Sequence, residues 1–341
     1  MTDTTLIAIG QKGRLEYEVA LLAATLRAHS PRFSGRLVVM EPQPGGKWPD
    51  DPRMGEDVRG LLRDLGAEIL PFTATEYGKP YAHGNKMEGL AQAPEGPFLF
   101  LDSDTVITGE LADVEIDHAR PSASMKRENT WPVAHPYGPG HHETWARLHH
   151  LAGLDFEASQ DTDWPVDHWR RYLYFNAGWT FGADAPEFGR RWMEMALLVR
   201  EESKRAVAGM PELGPQGPIA VQKIWPWLDQ ISLPLVVHGL GGGRPGAGGG
   251  IAAGLLDGTH SWHWRIMGLM YATAPDHVIE KVEAAMAPHR VKKVLKQHRP
   301  FQRYVLQDLG GKARELFDQD DLPHLEAPIR ERLKRHNLLQ R

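Results

Sequence analysis

The chain has 341 residues, enough to bury one large core or two smaller ones. Its 39 Lys and Arg against 44 Asp and Glu give a formal net charge of −5, so no basic surplus points to nucleic acid. With no cysteine, disulfides and thiolate metal sites are excluded, and no apolar run approaches the roughly 20 residues that cross a bilayer.

Residues 1–5 lack the basic flank and apolar core of a signal peptide, and we expect a cytoplasmic protein. Residues 6–9 read as a first strand, ended by a turn through Gly10 and Gly13. A helical stripe follows over 15–28, with Leu15, Val19, Leu22 and Leu26 on one face. A second strand is predicted at 36–40, a Pro- and Gly-rich loop at 41–52, a helix at 57–65 and a third strand at 67–72. This alternation predicts an α/β fold built on a mostly parallel central sheet flanked by helices. Gly10-x-x-Gly13 is too short for a dinucleotide fingerprint.

After a loop at 77–85 and a helix at 86–92, residues 97–105 read Pro-Phe-Leu-Phe-Leu-Asp-Ser-Asp-Thr. The continuous apolar run suits a strand buried on both faces. It stops at Asp102-Ser103-Asp104, and ligands of open α/β sheets bind where such strands end. Two carboxylates one residue apart repel each other, and a hard divalent cation relieves that repulsion. A second Asp-x-Asp, at Asp161 and Asp163, follows no strand and reads as a solvated loop.

Another strand is expected at 122–125. Residues 127–171 are rich in Trp and His with little periodicity, and one or two of their tryptophans are candidates to line an acceptor groove. Strand character returns at 172–181, followed by an amphipathic helix at 185–202 and a helix opening near Asp229. The glycine-rich stretch 239–254 reads as a mobile loop, and 259–271 as a strand carrying His260 and His263. From Pro275 the chain is helical and basic. Residues 289–303 hold six Lys or Arg and no acid, a cationic stripe that an anionic acceptor or an anionic membrane surface would attract. We expect a catalytic domain at 1–274, with 127–171 as an insert, and a helical basic extension at 275–341.

The order Asp102-Ser103-Asp104, then Asn176-Ala177-Gly178, then Asp229-Gln230, then a His-bearing strand resembles GT-A-type glycosyltransferases. The likeness is to the group of glycogenin and the lipopolysaccharide galactosyltransferases, over about residues 5–270. It implies a metal-dependent hexosyltransferase, of a group that retains configuration, using a nucleotide-diphospho-sugar, most simply a UDP-sugar, and Mn²⁺ or Mg²⁺. The acceptor would be a glycan, a lipid-linked glycan or a protein, with peripheral membrane contact an option. By the same resemblance Asp102, Asp104 and a later histidine hold the metal. Of the two candidates we expect His260, because His263 stands between Trp262 and Trp264 and would pack. Asn176, Asp229 and Gln230 would act on the donor sugar. Ile9, Lys86, Asp102, Ser103, Asp104, Asn176, Ala177 and Gly178 would line the donor site. The family's Gly and Lys-Pro-Trp after its histidine are missing here, which leaves the residue that clamps the diphosphate unassigned.

Two rival readings remain at this point. In a haloacid-dehalogenase-type phosphatase Asp102 would be a nucleophile, although three strand–helix units precede it. A non-catalytic sugar-nucleotide binding protein on the same fold is the other.

Overall fold

The computed structural model describes residues 4–126, 130–132, 139–208, 224–264 and 274–302, with 330, 331 and 334. A six-stranded sheet forms the centre, built from β1 (Thr5–Ile9), β2 (Leu37–Pro42), β3 (Ala67–Phe72), β4 (Phe98–Leu101), β6 (Ser122–Ala123) and β7 (Trp179–Gly182). Its order is β3-β2-β1-β4-β7-β6. The first four strands are parallel, and β7 joins β4 and β6 antiparallel. Two further strands, β5 (Thr105–Ile107) and β8 (Ser261–His263), pair antiparallel in a separate ribbon.

Helices cover both faces: α1 (Arg14–His29), α2 (Glu56–Asp64), α3 (Asn85–Ala91), α4 (His141–Leu151), α5 (Ala185–Ala208), α6 (Leu228–Gly239), α7 (Asp276–Met286) and α8 (His289–Leu295). Strand alternation sorts the core. Leu6, Ala8, Leu99 and Leu101 point into a cluster with α1, α2, α7 and α8, while Ile7, Ile9, Phe98 and Phe100 point into one with α3, α5 and α6. All four side chains of β4 are fully buried, each contributing about 1.5–3 kcal/mol relative to exposure. The apolar run is therefore continuous because both of its faces are covered.

Several elements depart from the sequence pattern. Only Trp179–Gly182 of the expected 172–181 strand is extended in the sheet; residues 172–178 are buried loop, turning at Ala177, whose φ is 59°. The strand expected at 259–271 is reduced to β8, and residues 265–273 lie outside the described residues. The glycine-rich loop is tied down rather than loose. Gly243 N donates to Pro121 O, Gly250 N to Arg120 O and Ser122 Oγ to Gly243 O, all beside β6. Of the tryptophans of the 127–171 segment, Trp131 and Trp145 are buried and meet edge to face with centroids 5.4 Å apart, whereas Trp164 is half-buried and Trp169 exposed. His135 lies outside the described residues.

The basic run at 289–303 does begin as a helix, burying Val291, Val294 and Leu295. Its stripe is not without an acid, however, because Arg290 ion-pairs with Asp64 at the end of α2. Apolar residues of α7 and α8 share the core of α1, so these helices brace the first helix of the sheet. Among the described residues no helix is long and apolar enough to cross a membrane.

Candidate functional site

The site lies where β1 and β4 end side by side. Leu6 and Leu99 are register partners, so the turns after the two strands open on the same edge of the sheet. Ser103 Oγ donates to Ile9 O over 2.5 Å and clips the turns together. A cleft of about 300 Å³ opens there, walled by Ile9, Arg14, Lys86, Asp102, Ser103 and Asp104 among others. Ile9 and Leu15 give it apolar walls, and Lys12, Arg14 and Lys86 give it cations.

After Asp104 the chain enters β5, and β8 pairs with β5 so that His263 is opposite Thr105. This register brings His263 Nε2 to 3.0 Å from Asp104 Oδ1 and 3.9 Å from Asp102 Oδ2. Asp102, Asp104 and His263 each offer one ligand atom, all within 4.8 Å of one another. Two carboxylates and one imidazole nitrogen suit a hard or borderline divalent cation, with further positions left for water or phosphate oxygen. The residues present therefore fit Mn²⁺ or Mg²⁺.

His260, the expected ligand, is not at this cluster. It follows a turn at residues 255–259, and its Nδ1 lies 3.0 Å from Leu255 O while its ring packs beside Gly109. The flanking tryptophans that argued against His263 turn elsewhere. Trp264 is buried against Phe301, and Trp262 takes the Lys126 ammonium over its ring.

Lys86 enters from α3 and is nearly fully buried. Its Nζ lies 3.0 Å from Asp102 Oδ2 and 3.2 Å from Asp229 Oδ2. Burial pushes its pKa down, but Asp102 and Asp229 more than reverse this, leaving it above an ordinary lysine's. Asp229, in the first turn of α6, is buried too, and its Oδ1 accepts from Tyr81 OH at 2.8 Å. Both of its oxygens are thus engaged. Gln230 Oε1 accepts from Tyr174 OH at 2.9 Å.

Asn176 is held within its own turn. Its Oδ1 accepts from Gly178 N at 2.8 Å and its Nδ2 donates to Lys126 O. Ala177 is buried, and Gly178 O accepts from Asp102 N at 2.9 Å. A Cβ on Gly178 would stand 2.4 Å from His263 Nδ1, so the turn and the histidine occupy adjoining space.

Three residues at the site were not singled out in the sequence. Arg14 Nη1 lies 2.7 Å from Glu18 Oε1 and 3.7 Å from Asp104 Oδ2. Glu18 is buried, and its carboxyl is pushed up to about 9, first by burial and then by the charge of Asp104. Asp104 responds oppositely: burial raises it, but His263, Arg14 and Lys86 bring it down to about 2. Tyr81, third, supports Asp229. A basic residue opening the helix that follows the first strand was the one available signal for Arg14.

A protein-family model described as the Rhodobacterales glycosyltransferase domain matches residues 6–241. No curated protein matches the sequence. Similar solved structures include the glycosyltransferase GlyE of Streptococcus pneumoniae TIGR4, at 12% identity and a TM-score of 0.34, over 71% of this chain and 45% of that one. Its apo form gives 13% and 0.30, over 67% and 44%. The galactosyltransferase LgtC, in complex with donor and acceptor sugar analogues, gives 15% and 0.36, over 71% and 73%. The chain thus spans less than half the length of the GlyE chains, and these likenesses place no residue of the site.

Proposed function

Because the chain belongs to the Rhodobacterales glycosyltransferase domain family, we propose that it transfers a hexose from a UDP-sugar to a hydroxyl acceptor, with Mn²⁺ or Mg²⁺ and retention of configuration. The observation that carries this reading is the convergence of Asp102, Asp104 and His263 at the end of β4, backed by the buried Lys86–Asp229 pair. The phosphatase alternative falls with family membership.

In this reading Asp102, Asp104 and His263 hold the metal, which supplies charge neutralisation for the diphosphate that leaves. Lys86 fixes the Asp102 carboxylate from behind and balances the acidic cluster without meeting solvent. Asp229 keeps Lys86 in place; with both oxygens engaged it is assigned to orientation rather than to attack on the sugar. Gln230, at the start of the same helix, faces the donor sugar, and Tyr174 sets its amide so that the carbonyl oxygen accepts. Asn176 acts through its turn, which puts Ala177 and Gly178 against the histidine. Ile9 and Ser103 form the floor beneath the nucleotide. We assign the acceptor to the glycan, lipid-linked glycan or protein class, with the cytoplasm as the setting, residues 1–274 as the catalytic unit and the helices from residue 275 as its brace.

The test is a screen of UDP-, GDP-, ADP- and CDP-sugars by thermal shift with Mn²⁺ or Mg²⁺, followed by an assay for free nucleotide. A metal-dependent stabilisation by one donor and release of its nucleoside diphosphate are expected. Stabilisation without release would assign the chain to sugar-nucleotide binding alone. No stabilisation by any donor would overturn both readings.

A further inference from the structure

The site is rich in negative charge. Asp102, Asp104 and Asp229 meet there, and the buried cation among them, Lys86, is spent on Asp102 and Asp229. A divalent ion and Lys86 together only balance these three carboxylates, so the charge of an entering diphosphate is left for a further cation on the wall to meet.

Arg14 has that position. It opens α1 after the turn that ends β1 and lies on the cleft wall with Asp104 and Lys12. Its side chain is 47% exposed, whereas that of Lys86 is 6% exposed. Glu18, one helical turn further along, holds the guanidinium through Nη1 at 2.7 Å. That carboxyl is 1% exposed, and its Oε2 has no hydrogen-bond partner among the described residues. A glutamate buried at such cost and using one oxygen on Arg14 is an anchor for that side chain. The guanidinium is thereby kept 3.7 Å from Asp104 Oδ2, beside the metal-ligand set. Its planar fork matches the geometry of phosphate oxygens better than an ammonium does.

Resting on the sugar-nucleotide reading, we propose that Arg14 binds the diphosphate of the donor and stabilises it as it leaves, with Glu18 as its positioning residue. In the transfer the bond from sugar C1 to the phosphate oxygen breaks and its electron pair stays on that oxygen. The acceptor oxygen forms the new bond to C1, and its proton passes to the departing phosphate. Arg14 donates hydrogen bonds to the phosphate oxygens on which the negative charge accumulates. It thus takes the clamping place that the sequence after the metal-binding histidine leaves unassigned.

The test measures binding rather than turnover. Affinities of the parent, Arg14→Gln, Arg14→Lys and Glu18→Gln for UDP and for uridine are compared by calorimetry with Mn²⁺, with GDP and guanosine or other pairs substituted if the donor screen selects them. Arg14→Gln should weaken the diphosphate tenfold or more and leave the nucleoside unchanged. Arg14→Lys should recover part of the loss, and Glu18→Gln should show a smaller one. Equal binding by the parent and a folded Arg14→Gln overturns the proposal, as does an equal loss for diphosphate and nucleoside. A tenfold loss in Lys12→Gln with none in Arg14→Gln would move the clamp to Lys12 and overturn it as well. If the parent binds none of the diphosphates, the sugar-nucleotide reading itself has failed.

Discussion

Gly178 and His263 interlock: no side chain fits at residue 178 without moving the imidazole, since a Cβ there would lie 2.4 Å from Nδ1. The histidine is also held through the β5–β8 register, so it has little room to give. Gly178→Ala should therefore displace Nε2 from Asp104 while leaving the sheet formed. Losses of supporting contacts around a metal typically cost 10–100-fold in affinity, and Mn²⁺ binding by calorimetry should weaken by about tenfold or more. Unchanged Mn²⁺ affinity in a folded variant would show that His263 stands outside the metal set.

Asp104→Asn keeps the shape of the side chain and removes its charge. A ligand present at 100 times its dissociation constant stabilises the folded state by about 2.7 kcal/mol. The parent should gain about this much on addition of Mn²⁺ to metal-free protein, read as a rise in melting temperature, and the variant should gain much less. Equal gains would sink the assignment of Asp104 as a ligand.

Lys86→Met removes the cation shared by Asp102 and Asp229 but keeps the aliphatic bulk. Asp229 is 2% exposed and would be left as a buried carboxylate supported by Tyr81 alone. Breaking a buried pair in this way costs about 3–5 kcal/mol, which urea denaturation would register. Adding Asp229→Asn should recover a good part of the loss, because the uncompensated charge goes with it.

His149 makes the 127–171 segment sensitive to acid. It is packed against Trp145, Phe156 and His238, and burial lowers its pKa from 6.5 to about 4. Between these values the unfolded chain binds the proton that the folded chain refuses. Stability from this group is therefore complete above pH 6.5 and is lost as the pH falls towards 4, by about 3 kcal/mol in all. His149→Phe should flatten the fall in melting temperature between pH 7 and pH 5. An unaltered slope would place the acid sensitivity elsewhere.

The parallel half of the sheet was legible because β1, β2 and β4 are covered on both faces and so carry uninterrupted apolar runs. The Asp pair was legible for the same reason, since it marks where burial stops. His263 was not. Alternation along a strand says that two histidines differ in direction but not which of them meets Asp104; that depends on the pairing of Thr105 with His263 across 158 residues. Arg14 and Glu18 were hidden by their own separation from Asp104 along the chain. Their helix reaches Asp104 only because β1 and β4 are neighbours, an order that no local pattern records. The composition of 127–171 did not separate its tryptophans: Trp131 and Trp145 are buried against each other, whereas Trp169 is exposed.

The glycines at 242 and 250 bear on how this protein avoids sticking to itself. A Cβ at Gly242 would stand 1.9 Å from Pro121 O, and one at Gly250 would stand 2.0 Å from Asp117 O. Only a bare backbone lies this close to the segment leading into β6, and there it takes up hydrogen bonds that an outer strand would otherwise hold out to another molecule. The opposite border of the sheet, β3, is guarded by other means, with Glu68 and Pro71 on its exposed positions. Bulk at Gly242 or Gly250 would peel the loop away and turn the β6 border into a template for pairing between copies. Aggregation during expression, rather than a catalytic defect, is the failure such variants should show first.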